Sequence, residues 1–170
     1  DRKLQILQQL AQMLEDPNCK KVTTALLAAR LEVSEAALYR HFASKAQMYE
    51  GLIEFIEQTI FRLINKISES EESGLKQVSA MVNVLLNFAK KNPGMTRVLI
   101  GDALVHENDR LQDRINRLHD RLESSMRQSL RFAINHGEMN SALEIDPKGN
   151  QLMAYVIGRW HQFAKSRFTK

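Results

Sequence analysis

Residues 26–49 read LLAARLEVSEAALYRHFASKAQMY, two short helical patterns separated by a tight turn. Leu26, Leu27, Ala28 and Leu31 form one apolar stripe, which Thr23 or Thr24 can cap. Ser34 can cap a second helix carrying Ala37, Leu38 and Tyr39. Two short helices joined in this way have the dimensions of a helix-turn-helix, whose second helix fits a major groove. Ala28 and Ala29 are small enough to let the helices approach closely, and Val33 and Leu38 are placed to form a miniature core beneath them. Ser34, Glu35, Ala37 and Arg40 then face outward, toward DNA.

Upstream, Leu4, Leu7, Leu10, Ala11 and Leu14 recur at helical spacing until Asp16-Pro17-Asn18, predicting a helix over about 2–15. Downstream, Ser44 can cap a long helix with the stripe Leu52, Ile56, Ile60, Leu63 and Ile67, ended by the polar run 68–74, the clearest linker in the chain. A fifth helix is expected over about 75–91, closed by Asn92-Pro93-Gly94. A short sixth carries Val98 to Leu104, a long seventh spans about 108–135, and an eighth starts at Asp146-Pro147. The expectation is an all-α chain: a three-helix head at 1–46 holding the helix-turn-helix, and a helical dimerisation and partner-binding body at 47–170.

Only three Pro and seven Gly interrupt the 170 residues, which suits helices throughout. A single cysteine, Cys19, excludes an internal disulfide and fits a reducing compartment. No run is long and apolar enough to span a membrane, so a cytoplasmic location is expected. The net charge of +4 permits an anionic partner without demanding one. The chain begins without Met and with helical periodicity under way, so an upstream segment, such as a basic arm, is expected. No Gly-rich phosphate loop, HExxH or nucleophile elbow appears, and the five histidines lie far apart, so neither an enzyme nor a cofactor or metal is expected.

The run Leu38-Tyr39-Arg40-His41-Phe42 followed by Lys45 closely resembles the TetR family pattern. The resemblance implies that Tyr39, His41 and Lys45 meet DNA phosphates and that Phe42 packs inside. With Thr23, Thr24, Ser34, Glu35, Ala37 and Arg40 they make up the candidate DNA-binding set. Phosphate contacts position such a protein, while base edges specify the sequence. One residue departs from the pattern: Glu32 stands where most relatives place Gly in the turn, at a cost of about 1 kcal/mol if the backbone there is left-handed.

Beyond the head, residues 52–65 and 90–131 resemble a branch of that family, the nucleoid occlusion factors. The resemblance implies a homodimer on double-stranded palindromic DNA, leaves open more than one dimer per site, and implies a protein partner, FtsZ, whose assembly is blocked over the chromosome. At about 100° per residue, Phe55 falls off the core stripe and aligns with Thr59, Arg62 and Lys66. This strip, extended to Asn87, Lys91 and Asn92, can take an extended acidic-hydrophobic peptide; alternatively Phe55 packs as core. The stripe Leu111, Ile115, Leu118 and Leu122 of the seventh helix, supported by charges four apart such as Asp113 and Arg117, can pair with Trp160 and Phe163 of the eighth. Leu118, Leu122, Trp160 and Phe163 are therefore candidates for the dimer interface, with an internal core role for Trp160 equally open. The competing functional reading is a TetR-type transcriptional repressor released from its operator by a small ligand, which needs an apolar pocket in the body.

Overall fold

The computed structural model describes residues 1–19, 21–142 and 144–170. Among them the chain forms α1 (Arg2–Leu14), α2 (Thr24–Arg30), α3 (Glu35–Tyr39), α4 (Lys45–Ser70), α5 (Gly74–Lys91), α6 (Pro93–Leu99), a 3-10 turn (Asp102–Leu104), α7 (Asp109–Asn135) and α8 (Ile145–Lys165). The architecture is all-α, a TetR-like head and body.

Most helix starts follow from one side chain each. The hydroxyls of Thr23, Ser34, Ser44 and Ser73 accept from the backbone N–H of Leu26, Ala37, Gln47 and Lys76 at 3.1–3.2 Å. Each such cap contributes about 1 kcal/mol by satisfying an otherwise orphaned donor. Thr23 is thus the cap of α2, and Thr24 stands in the first turn, where its hydroxyl is turned toward α3.

Three expectations are corrected. The polar stretch 68–74 is less a linker than the last turn of α4, and only residues 71–73 separate it from α5. Glu138 holds that corner by accepting from Gly74 N at 2.7 Å and from the Ser73 hydroxyl. Pro93 opens α6 rather than merely closing α5, because proline's missing N–H costs nothing in a first turn. The same helix stops at Leu99, since Gly101 takes φ 82° and turns the chain into the 3-10 segment.

The body core is built around α5, which packs against α4, α7 and α8. Leu52, Ile53, Ile56, Ile60 and Ile64 of α4 meet Met81, Leu85 and Phe88 of α5, with Leu111 through Met126 of α7 and Met153, Val156 and Trp160 of α8 closing the cluster. Leu63, expected on that stripe, is 39% exposed, and Ile64 takes the inner place. In the first half of α7 the charges reach across to α4, with Arg114 on Glu57 and Arg110 on Glu50, while farther along Arg127 pairs with Glu123 on the same helix.

The head is bolted to the body at α6. A Cβ on Gly94 would lie 2.0 Å from the Ala11 carbonyl oxygen, so only glycine lets α6 approach α1 this closely. Arg97 of α6 donates one Nη to the carbonyls of Leu14 and Cys19 and its Nε to Asp102, whose second oxygen accepts from Lys165. Burial alone would raise the Asp102 carboxyl, but the hydrogen bonds and charges of Lys165 and Arg97 outweigh it and hold it below the usual range.

Candidate nucleic-acid interface and docking groove

The turn between α2 and α3 is made by Glu32 at φ 57°, in the left-handed region, so the condition attached to a non-glycine residue there is met. Val33 N then bonds back to Ala28 O at 3.0 Å, closing α2 in a Schellman-like turn. The local cost of about 1 kcal/mol for a non-glycine residue there is tolerated because Leu27, Ala28, Leu38 and Phe42 are packed beneath it. Ala29, expected to ease the approach of the two helices, faces solvent instead.

Glu35, Ala36, Tyr39 and Arg40 are exposed on α3 and its C-cap, Ser34 just ahead of it, while Ala37 and His41 are half-buried. Ala37, Arg40 and His41 border a groove of about 220 Å³ with Arg2 from the start of α1, a cationic pairing the sequence reading missed because 38 residues separate Arg2 from Arg40. Thr23 and Ser34 spend their lone pairs on capping but keep their O–H groups to donate. Thr24 donates to Glu35 Oε2 at 2.9 Å, and the Tyr39 hydroxyl donates to Thr24 Oγ1 at 3.4 Å, linking α2 and α3 across the outward face. Lys45 is held by a carboxylate: its Nζ lies 3.0 Å from Glu107 Oε2, so a phosphate there would have to compete with or share that ion pair.

The dimer-interface candidates are also corrected. Leu118, Leu122 and Trp160 are 0–1% exposed within a single chain, and Trp160 Nε1 donates to Leu85 O at 2.9 Å, so no surface of these residues remains for a partner. Phe163 is half-buried against Phe168, with ring centroids 5.4 Å apart. The outward face of α8 instead carries Ala154, Tyr155, which is 55% exposed, and Gly158, beside which a Cβ would meet nothing within 4 Å.

On the body, Phe55, Thr59, Asn87, Lys91 and Asn92 line one groove of about 350 Å³ between α4 and α5. Its floor adds Leu63, Val84 and Phe88, residues the helical stripe had assigned to the core or passed over. Arg62 and Lys66 are exposed on the same helix but do not line the groove. A second groove of about 450 Å³ lies between α5, α8 and the C-terminal turn, lined by Leu86, Lys90, Arg159, Phe163 and Phe168.

His119, four residues from Glu123, does not face it. Its Nε2 meets the Leu99 carbonyl at 2.8 Å under Trp160, while Glu123 pairs with Arg127. Burial depresses the His119 pKa, against the opposing influence of that hydrogen bond and of Asp120. No helix among the described residues is long and apolar enough to cross a membrane.

Residues 6–52 match the family model of bacterial regulatory proteins of the tetR family, and residues 72–170 match that of the SlmA-like tetracyclin repressor-like C-terminal domain. The nucleoid occlusion factor SlmA of Alteromonas mediterranea is 49% identical over 171 residues, covering 100% of this chain and 87% of that protein. That of Vibrio cholerae is 46% identical, covering 99% of this chain and 86% of its own length. Among solved structures, the fatty acid degradation regulator FadR from Bacillus halodurans superposes with a TM-score of 0.81 at 14% identity, covering 99% of this chain and 87% of that one, a likeness of fold alone. The chain belongs to the TetR family and, within it, to the nucleoid occlusion factors named SlmA.

Proposed function

We propose that this chain acts as a homodimer that sits on palindromic DNA through α3 and captures FtsZ in the groove between α4 and α5, blocking division-ring assembly over the chromosome. The observation that carries the reading is the groove: an apolar floor of Phe55, Leu63, Val84 and Phe88 with Lys91 at its edge. An extended peptide alternating apolar and acidic side chains matches that lining, with main-chain polar groups meeting Thr59, Asn87 and Asn92. The protein would then work in the cytoplasm, on the nucleoid.

Dimerisation falls to the outward faces of α7 and α8, where Tyr155 and the bare backbone at Gly158 allow close helix contact and the exposed charges Arg117 and Asp120 can pair across a two-fold axis. Such a dimer presents two copies of α3 about one DNA turn apart, roughly 34 Å. The test is a pull-down with a peptide of the FtsZ tail: capture by the wild-type chain and loss of capture in Phe55→Ala, with the helical spectrum unchanged, is the expected result. Equal capture by both refutes the groove assignment.

The second reading, a repressor released by a small ligand, draws on the groove between α5 and α8, whose Lys90 and Arg159 flank Phe163 and Phe168 and suit an amphipathic anion. It predicts that such a ligand dissociates the chain from its operator.

A further inference from the structure

The outward face of the head carries an anion. Glu35 stands at the first position of α3, exposed, in the middle of residues otherwise suited to meet a polyanion. Its carboxylate is not loose. Thr24 Oγ1 donates to Oε2 at 2.9 Å, and the Tyr39 hydroxyl in turn donates to Thr24, so a chain of hydroxyls from both helices fixes one oxygen. The other oxygen, Oε1, keeps its lone pairs, and an ionised carboxylate accepts without donating.

Phosphate oxygens repel such a group, so a DNA-bound head can place it well only over a base edge that offers a donor. In the major groove only cytosine N4 and adenine N6 offer one, whereas guanine N7 and O6 and thymine O4 are acceptors. Adenine sets its N7 acceptor beside N6, against the carboxylate, and cytosine does not. From this, and resting on the DNA-binding reading above, we propose that Glu35 is a specificity-determining residue that selects cytosine at one base pair of each half-site. Thr24 and Tyr39 are positioning residues for it. Two-fold symmetry repeats the preference at the mirror position, where the complementary strand carries guanine.

A carboxylate that served only to favour the first turn of α3 would act on every duplex alike; a base reader acts at one position. The experiment is therefore selection from a randomised duplex library by the full chain, with Glu35→Ala and Glu35→Gln in parallel. The wild-type chain should return a palindrome with cytosine at one symmetric pair of positions. Glu35→Ala should flatten the profile there alone, losing on the order of tenfold discrimination. Glu35→Gln, nearly isosteric and suited to pair bidentately with adenine, should move the preference at the same pair toward adenine. Identical profiles for all three proteins, or a change in affinity uniform over all sequences, overturn the role of Glu35 while leaving DNA binding intact. A wild-type chain that selects no sequence removes the DNA-binding reading and this inference together.

Discussion

The ammonium of Lys45 lies 3.0 Å from the Glu107 carboxylate, pairing the first residue of α4 with the segment that leads into α7. Both side chains are largely shielded, 23% and 10% exposed, so the pair competes with any phosphate for the lysine. Glu107→Gln should release Lys45 to the DNA. The expected outcome is tighter operator binding and a salt dependence steeper by about 0.9 in log–log slope, the worth of one added phosphate contact. Fluorescence anisotropy between low and moderate salt reads both quantities; a slope no different from wild type means that the Glu107 pair does not hold Lys45 away from a phosphate.

Gly94 and Gly158 should respond oppositely to alanine. At Gly94 the new methyl meets the Ala11 carbonyl oxygen at 2.0 Å, and backbone must move, at a cost of about 1–3 kcal/mol of overpacking. At Gly158 nothing obstructs it, and alanine should stabilise the isolated fold by about 0.5–1 kcal/mol through its helix propensity. Urea denaturation of the two variants checks the signs.

Trp160 and Tyr155 separate the core from the interface. Trp160→Ala should cost about 3–5 kcal/mol, because it empties a core site and orphans no less than the bond to Leu85. Tyr155→Ala should leave the stability of the single chain nearly unchanged while weakening self-association. Sedimentation equilibrium over a concentration series distinguishes them, and an unaltered dimer in Tyr155→Ala would move the interface elsewhere.

Acid should weaken the fold through His119. Its pKa is lower folded than the 6.5 of a free imidazole, so between those two values the unfolded chain binds more protons. The stability conferred by neutral His119 is therefore fully present above about pH 6.5 and is lost as the pH falls through the folded pKa. Denaturation midpoints at pH 7.5 and 5 should differ more for the wild-type chain than for His119→Gln; equal differences would deny His119 this role.

What could be read from the sequence is what short-range chemistry decides. Thr23, Ser34 and Ser44 cap helices because a hydroxyl and an amide three residues on are brought together by the chain itself. Phe55 leaves the core stripe by helical geometry alone, whereas the motif around Glu32 raised a left-handed turn only as a condition. What long-range packing decides was not readable. A buried indole is equally at home in its own core or under a partner, and only the position of Leu85 settles Trp160. Lys45 and Glu107 are 62 residues apart, so nothing local announces their pair. Pro93 both ends one helix and begins the next, and the sequence could not say which use prevails.

One dimer is proposed to hold palindromic DNA and FtsZ at once, through separate faces. Sedimentation velocity of a labelled palindromic duplex with the chain and FtsZ tests it most directly. The expected result is a ternary species that sediments faster than the chain–duplex complex and reverts to it in Phe55→Ala. Displacement of the duplex by FtsZ, or a ternary species untouched by that substitution, would contradict it.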